Sequence, residues 1–64
     1  MVDGTIKFFN DVKNYGFIEG DDGNDYFVHR SDIVGEASLA EGDRVSFTPV
    51  EGDRGPKADK VEKL

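Results

Sequence analysis

The chain contains no cysteine, so neither a disulfide nor a thiolate metal site is open to it, and that usage fits a reducing compartment. It also has a single histidine. A lone imidazole with no thiol and no sequence motif joining it to Ser31 or Asp32 argues against nucleophilic or acid–base catalysis. No apolar run approaches the roughly 20 residues that cross a bilayer. The N-terminus does not join a basic segment to an apolar one, which argues against a signal peptide. The glycines form neither a GxGxxG nor a phosphate-loop pattern. Positive charge is scarce as well. Fourteen Asp and Glu against eight Lys and Arg leave a net charge of −6, the wrong sign for a generic nucleic-acid binder. Such a surface keeps a protein soluble at the cost of self-repulsion, and the excess of Asp over Glu also fits adaptation to high salt.

What remains is one domain over residues 1–64, expected to be soluble, cytoplasmic and monomeric, with no cofactor, metal or small-molecule substrate. A chain of this size buries only about 60% of its unfolded surface. Asp21-Asp22-Gly23-Asn24-Asp25 invites a calcium reading. The helix–loop–helix loop, however, requires a glutamate at its twelfth position, where Asp32 stands between strand-like segments. A solvated hairpin turn is the better reading.

Aromatic and β-branched residues mark short strands. Val2 to Asn10 reads as the first, with Ile6 inward and Lys7 outward. Simple alternation then sends Phe8 in and Phe9 out, whereas a bulge would expose both. Asp11 to Asn14 is a turn, with Asn14 suited to a positive φ. Lys13 to Ile18 and Tyr26 to Arg30 read as short strands of a hairpin closed by Gly20 to Asn24. Ser31 is placed to cap one helical turn. Only Leu39 anchors the connection from Val34 to Gly42, in which a marginal helix over 36–41 stays open. Arg44 to Val50 alternates again, Pro49 ends the regular pairing or marks an edge, and Lys57 to Leu64 supplies a fifth strand around Val61. Five short strands hide their edges economically by closing into a barrel. The expected core is Ile6, Ile18, Val28, Ile33, Leu39, Val45, Phe47 and Val61.

That core leaves rings to spare. Side chains alternate across a strand, so Tyr15, Phe17, Phe27 and His29 share one face of the hairpin, with Lys13 at its rim. Both faces are apolar, since Phe17 alternates with Ile18 and Phe27 with Val28, and in a small domain one of them must meet water. Rings on a wet face, bordered by cations, make a platform on which unpaired bases stack. The rival reading is a module that grips extended, proline-rich peptides on the same aromatic face.

At this point the residues resemble the cold-shock domain family along nearly the whole chain. Gly4-Thr5-Ile6-Lys7-Phe8-Phe9-Asn10 looks like that family's first strand. Lys13-Asn14-Tyr15-Gly16-Phe17-Ile18 is similar to its first ribonucleoprotein motif and Phe27-Val28-His29 to its second. Glu41 to Phe47 and Arg54-Gly55-Pro56-Lys57-Ala58 follow in family order. The resemblance implies an all-β, five-stranded antiparallel OB-fold barrel that binds single-stranded RNA or DNA with little sequence specificity and acts as an RNA chaperone. By position, Phe8, Tyr15, Phe17, Phe27 and His29 would stack on bases, with Phe9 at the margin. Lys7, Lys13 and Arg54 would lie near phosphates, and Asp25 would accept a hydrogen bond from a base edge. Four positions depart from the family pattern. Phe8 stands where Trp is usual and Asn14 where Gly is usual. Arg30 replaces a bacterial Phe, and its guanidinium can stack or meet phosphate. The Gly35-Glu36-Ala37 connection is short and lacks an aromatic.

Overall fold

The computed structural model describes residues 1–35, 39–53 and 55–64. Five strands fill most of that length: β1 (Val2–Asn10), β2 (Tyr15–Gly20), β3 (Asp25–His29), β4 (Arg44–Gly52) and β5 (Gly55–Lys63). They close into a barrel in the order β1-β2-β3-β5-β4, so the all-β barrel expected from the strand pattern is the fold. Closure is antiparallel except at one seam. There β3 meets β5 in parallel through Phe27 and Lys57, and Ile33 bridges Val61 in the same sense.

The core is Ile6, Ile18, Tyr26, Val28, Leu39, Val45, Phe47, Ala58 and Val61, each at most 5% exposed. Two of these, Tyr26 and Ala58, lie outside the expected set, and Ile33 is only half-buried against the cluster. Tyr26 is buried because its hydroxyl has a partner. The O–H donates to Asp22 Oδ2, while the ring packs edge-on against Phe47 with centroids 4.8 Å apart. A buried tyrosine with its hydroxyl satisfied behaves as a large apolar residue. Ala58 and Val61 both point inward although three positions apart, because β5 carries a bulge. Ser46 pairs with Glu62 and Thr48 with Asp59, so Phe47 faces two residues, and one of them, Lys60, has φ of 50°.

A second bulge decides the fate of the first strand's rings. Ile6 pairs with Ile18 and Phe8 with Phe17, which makes Lys7 the extra residue. Lys7 and Phe8 therefore both face solvent, and inward pointing resumes at Phe9, which is half-buried against the core. Simple alternation predicted the reverse. Gly16 makes room for this arrangement, since a Cβ there would lie 2.7 Å from Phe9 Cδ2.

The turns are held by side chains. Asn10 Oδ1 accepts from the backbone N–H groups of Val12 and Lys13 at 2.9 and 3.0 Å, and Asn14 takes φ of 60° to enter β2. After β3 comes a single 3-10 turn over Arg30–Asp32, capped by His29 rather than by Ser31. The connection that follows lies partly in 36–38, outside the described residues, so the helix left open over 36–41 goes untested there; Leu39 is buried as expected. Pro49 does not end β4. It pairs with Ala58, beyond the Arg44 to Phe47 stretch that β1 covers, where one edge of the strand has no ladder to miss an N–H.

Candidate nucleic-acid interface

The hairpin of β2 and β3 sets Tyr15 opposite His29 and Phe17 opposite Phe27, while the Lys7 bulge swings Phe8 to the same outer face. Four rings meet there. Tyr15 is central: it stacks on Phe27 with centroids 5.9 Å apart and planes 18° from parallel, and meets Phe8 and Phe17 edge-on at 6.0 and 6.3 Å. Phe17 and Phe27 are edge-on at 5.8 Å. These are favourable aromatic geometries, so the rings hold one another in place without being sealed. Phe8 stays 43% and Phe17 39% exposed; Tyr15 and Phe27 are half-buried.

Beside them opens a cavity of about 650 Å3, mostly apolar, lined by Lys13, Tyr15, Phe17, Asp25, Phe27, His29 and Pro56. Six of those seven are residues that the sequence had put forward. Phe8 joins the surface through its contact with Tyr15. Phe9 turns toward the core, and Arg30 stands exposed on the 3-10 turn, directly after His29 in sequence. Arg54 lies outside the described residues. Pro56 was not among the expected site residues. It arrives because the parallel β3–β5 seam brings the β4–β5 hairpin beside Phe27, a long-range pairing with no local sequence signal.

Polar groups at the rim fall into two kinds. The Lys7 ammonium lies 3.2 Å from Asp25 Oδ2, so the cation expected near phosphate and the carboxylate expected at a base edge are paired with each other. Lys13 and Arg30, by contrast, have no ion-pair partner among the described residues. Lys57, Arg44 and Lys63 are engaged with Asp32, Asp21 and Asp43. His29 is also committed. Its Nδ1 accepts from the Ser31 backbone N–H at 3.1 Å and lies 3.0 Å from Ser31 Oγ, leaving Nε2 to carry the ring proton of the neutral form. Asp32 reaches the His29 backbone N–H, not the ring. A carboxylate orienting a general base would bind the imidazole itself, so this trio is a turn cap.

Two carboxylates near the β2–β3 turn are perturbed. Hydrogen bonds from the Arg44 guanidinium, at 2.7 and 3.0 Å, hold Asp21 below the usual carboxylate range. The Tyr26 hydroxyl, followed by the Asn24 backbone N–H, does the same for Asp22, and Tyr26 is raised in return.

With this geometry in view, the chain matches a family model of the 'Cold-shock' DNA-binding domain over residues 2–64. It is similar along its full length, and along theirs, to Cold shock-like protein CspLB of Listeria monocytogenes, at 54% identity. Equally complete matches are Cold shock protein CspD of Bacillus subtilis at 52% and Cold shock protein CspB of Geobacillus stearothermophilus at 53%.

Proposed function

The chain belongs to the 'Cold-shock' DNA-binding domain family, and from that premise we propose that it binds single-stranded RNA or DNA by stacking bases on the face carrying Phe8, Tyr15, Phe17 and Phe27. One observation carries this reading: the barrel's interior is filled by other residues, so these four rings are surplus to the core and gather on its outside. Each stacked base contributes about 1–3 kcal/mol, largely irrespective of sequence. Several such contacts suffice for useful affinity despite an anionic body.

In this mechanism His29 offers a further flat surface, with its Nδ1 already turned to Ser31. Lys13 and Arg30 meet phosphate, and so does Arg54. Asp25 and Lys7 present an acceptor and a donor side by side to a base edge, and Phe9 contributes only by shaping the strand beneath. The protein acts as a monomer in the cytoplasm and catalyses no reaction. By occupying strands that have opened, it disfavours re-formation of RNA hairpins through mass action.

An NMR titration with a short pyrimidine oligonucleotide tests this. The amides of Phe8, Tyr15, Phe17 and Phe27 are expected to shift together and saturate. Shifts confined to other strands, or shifts at these positions only with a proline-rich peptide, would overturn it.

A further inference from the structure

The strand register lays charge in rows across the aromatic face. Tyr15 and His29 form one row, and Lys13 and Arg30, close to them in sequence, stand exposed at that end. Phe8, Phe17 and Phe27 form the next row. Glu19 and Asp25 close the far end. Glu19 lies two residues beyond Phe17 and Asp25 two before Phe27, so both share the face of the rings. They are paired directly opposite one another, with Thr5 on the other flank of Glu19. Like charges so placed destabilise a sheet. Only one of the two is relieved. Lys7 takes Asp25, while Arg44, paired with Thr5 from β4, is turned to Asp21 instead. Glu19 is exposed and has no ion-pair partner among the described residues. A charge kept at a cost to the sheet, at the border of a binding face, calls for a reason outside folding.

We propose that Glu19 sets the boundary of the bound strand by repelling phosphate, an inference that rests on the binding reading above. A base carries no charge, so a base edge still reaches Asp25 and Lys7. The phosphate chain stays with Lys13 and Arg30 and leaves the sheet before the Glu19 row. No contact is needed for this, since exposed charges sense each other over about 10 Å at 0.1 M salt. The partner so selected is a short unpaired segment whose flank bends away, rather than a long strand laid flat.

Oligothymidylates of four to ten nucleotides, titrated at low salt into the unaltered protein, Glu19→Gln and Glu62→Gln, test this. Glu62 is exposed on β5 and paired with Ser46, outside the rows above, so its variant reports the effect of net charge alone. Affinity of the unaltered protein should level off at some length. Glu19→Gln should match it up to that length and bind strands one or two nucleotides longer about threefold more tightly, a gain that vanishes in molar salt. Glu62→Gln should shift all lengths alike. A neutral methylphosphonate in place of the first phosphate beyond the plateau should give the unaltered protein the same gain, a readout that does not depend on how a variant folds. A Glu19→Gln gain that is equal at every length, or absent, overturns the proposal and leaves the platform standing, as does a methylphosphonate that changes nothing. Failure of every length to bind overturns both.

Discussion

Lys7 and Asp25 are paired across the rim of the aromatic face, ammonium to carboxylate at 3.2 Å, with both side chains more than half exposed. The bulge that frees Phe8 is also what places Lys7 there. A pair this open contributes little to stability, on the order of 0–1 kcal/mol, but it changes how the surface presents charge. The three proposed phosphate partners, Lys13, Arg30 and Arg54, set a salt slope of about −2, at about −0.7 per contact for single strands. Lys7, already paired with Asp25, adds nothing to it. Asp25→Asn frees the ammonium and should steepen the slope by about 0.7, whichever way affinity itself moves. Titrations between low and moderate salt check this, and an unchanged slope would mean that Lys7 meets no phosphate even when released.

Lys13 and Arg30 should behave in the opposite way. Replacing either with Ala is expected to weaken binding across all sequences and to flatten the salt slope by about 0.7 each. Fluorescence titrations at several ionic strengths would report it, and loss of affinity without a change in slope would assign these side chains to stacking or packing instead.

Phe17→Ala combined with Phe27→Ala should abolish most binding. Each stacked base is worth about 1–3 kcal/mol, so the double variant should lose at least about tenfold in affinity for a pyrimidine-rich strand. Neither residue belongs to the buried core, so the variant should keep the dispersed amide spectrum of a folded barrel. Undiminished affinity in a folded double variant would refute the platform.

The Asp22–Tyr26 hydrogen bond gives stability two pH limbs. Asp22 and Asp21 lie below the ordinary carboxyl value of 3.8 when folded. Their contributions are therefore present above that value and lost as pH falls through the depressed ones. Tyr26 lies above the ordinary 10.0, so its contribution is full below 10.0 and lost as pH rises through the raised value. Melting temperature should fall on both sides. Asp22→Asn should shrink both limbs, whereas Arg44→Met should shrink only the acid one. A variant whose profile overlays that of the parent would show that the pair carries no linkage.

Salt should stabilise the fold. At −6, with most acids exposed, self-repulsion among carboxylates outweighs the four ion pairs among the described residues, whose individual worth is small. Melting temperature is expected to rise from dilute buffer to molar sodium chloride, where the Debye length shrinks to about 3 Å. A level or falling midpoint would remove salt adaptation as the reason for the acidity.

The strands and most of the core were readable because period-two patterning holds within each short run. Ile18 with Val28 and Val45 with Phe47 needed nothing else. Reading failed where the period is broken by backbone alone. The bulges at Lys7 and Lys60 reverse side-chain parity without a distinctive residue, which is why Phe8 and Phe9 exchanged roles and Ala58 was missed. Tyr26 alternates with Phe27 and so falls on the face of Val28, but its burial depends on a hydroxyl partner four residues away. At the site, Tyr15, Phe17, Phe27 and His29 were legible from alternation. The Lys7–Asp25 pair and Pro56 were not, since both depend on contacts between strands distant in sequence.

The thinnest part of the cylinder is the parallel seam, where Phe27 alone of β3 is in register with β5, at Lys57. That same ring belongs to the aromatic platform, stacked on Tyr15. A strand lying across it would act as a latch: anything that pries β3 from β5 must first evict the guest. Occupied protein should accordingly exchange its seam amides more slowly than empty protein, and a weakened seam should shed its cargo before the rest of the barrel lets go.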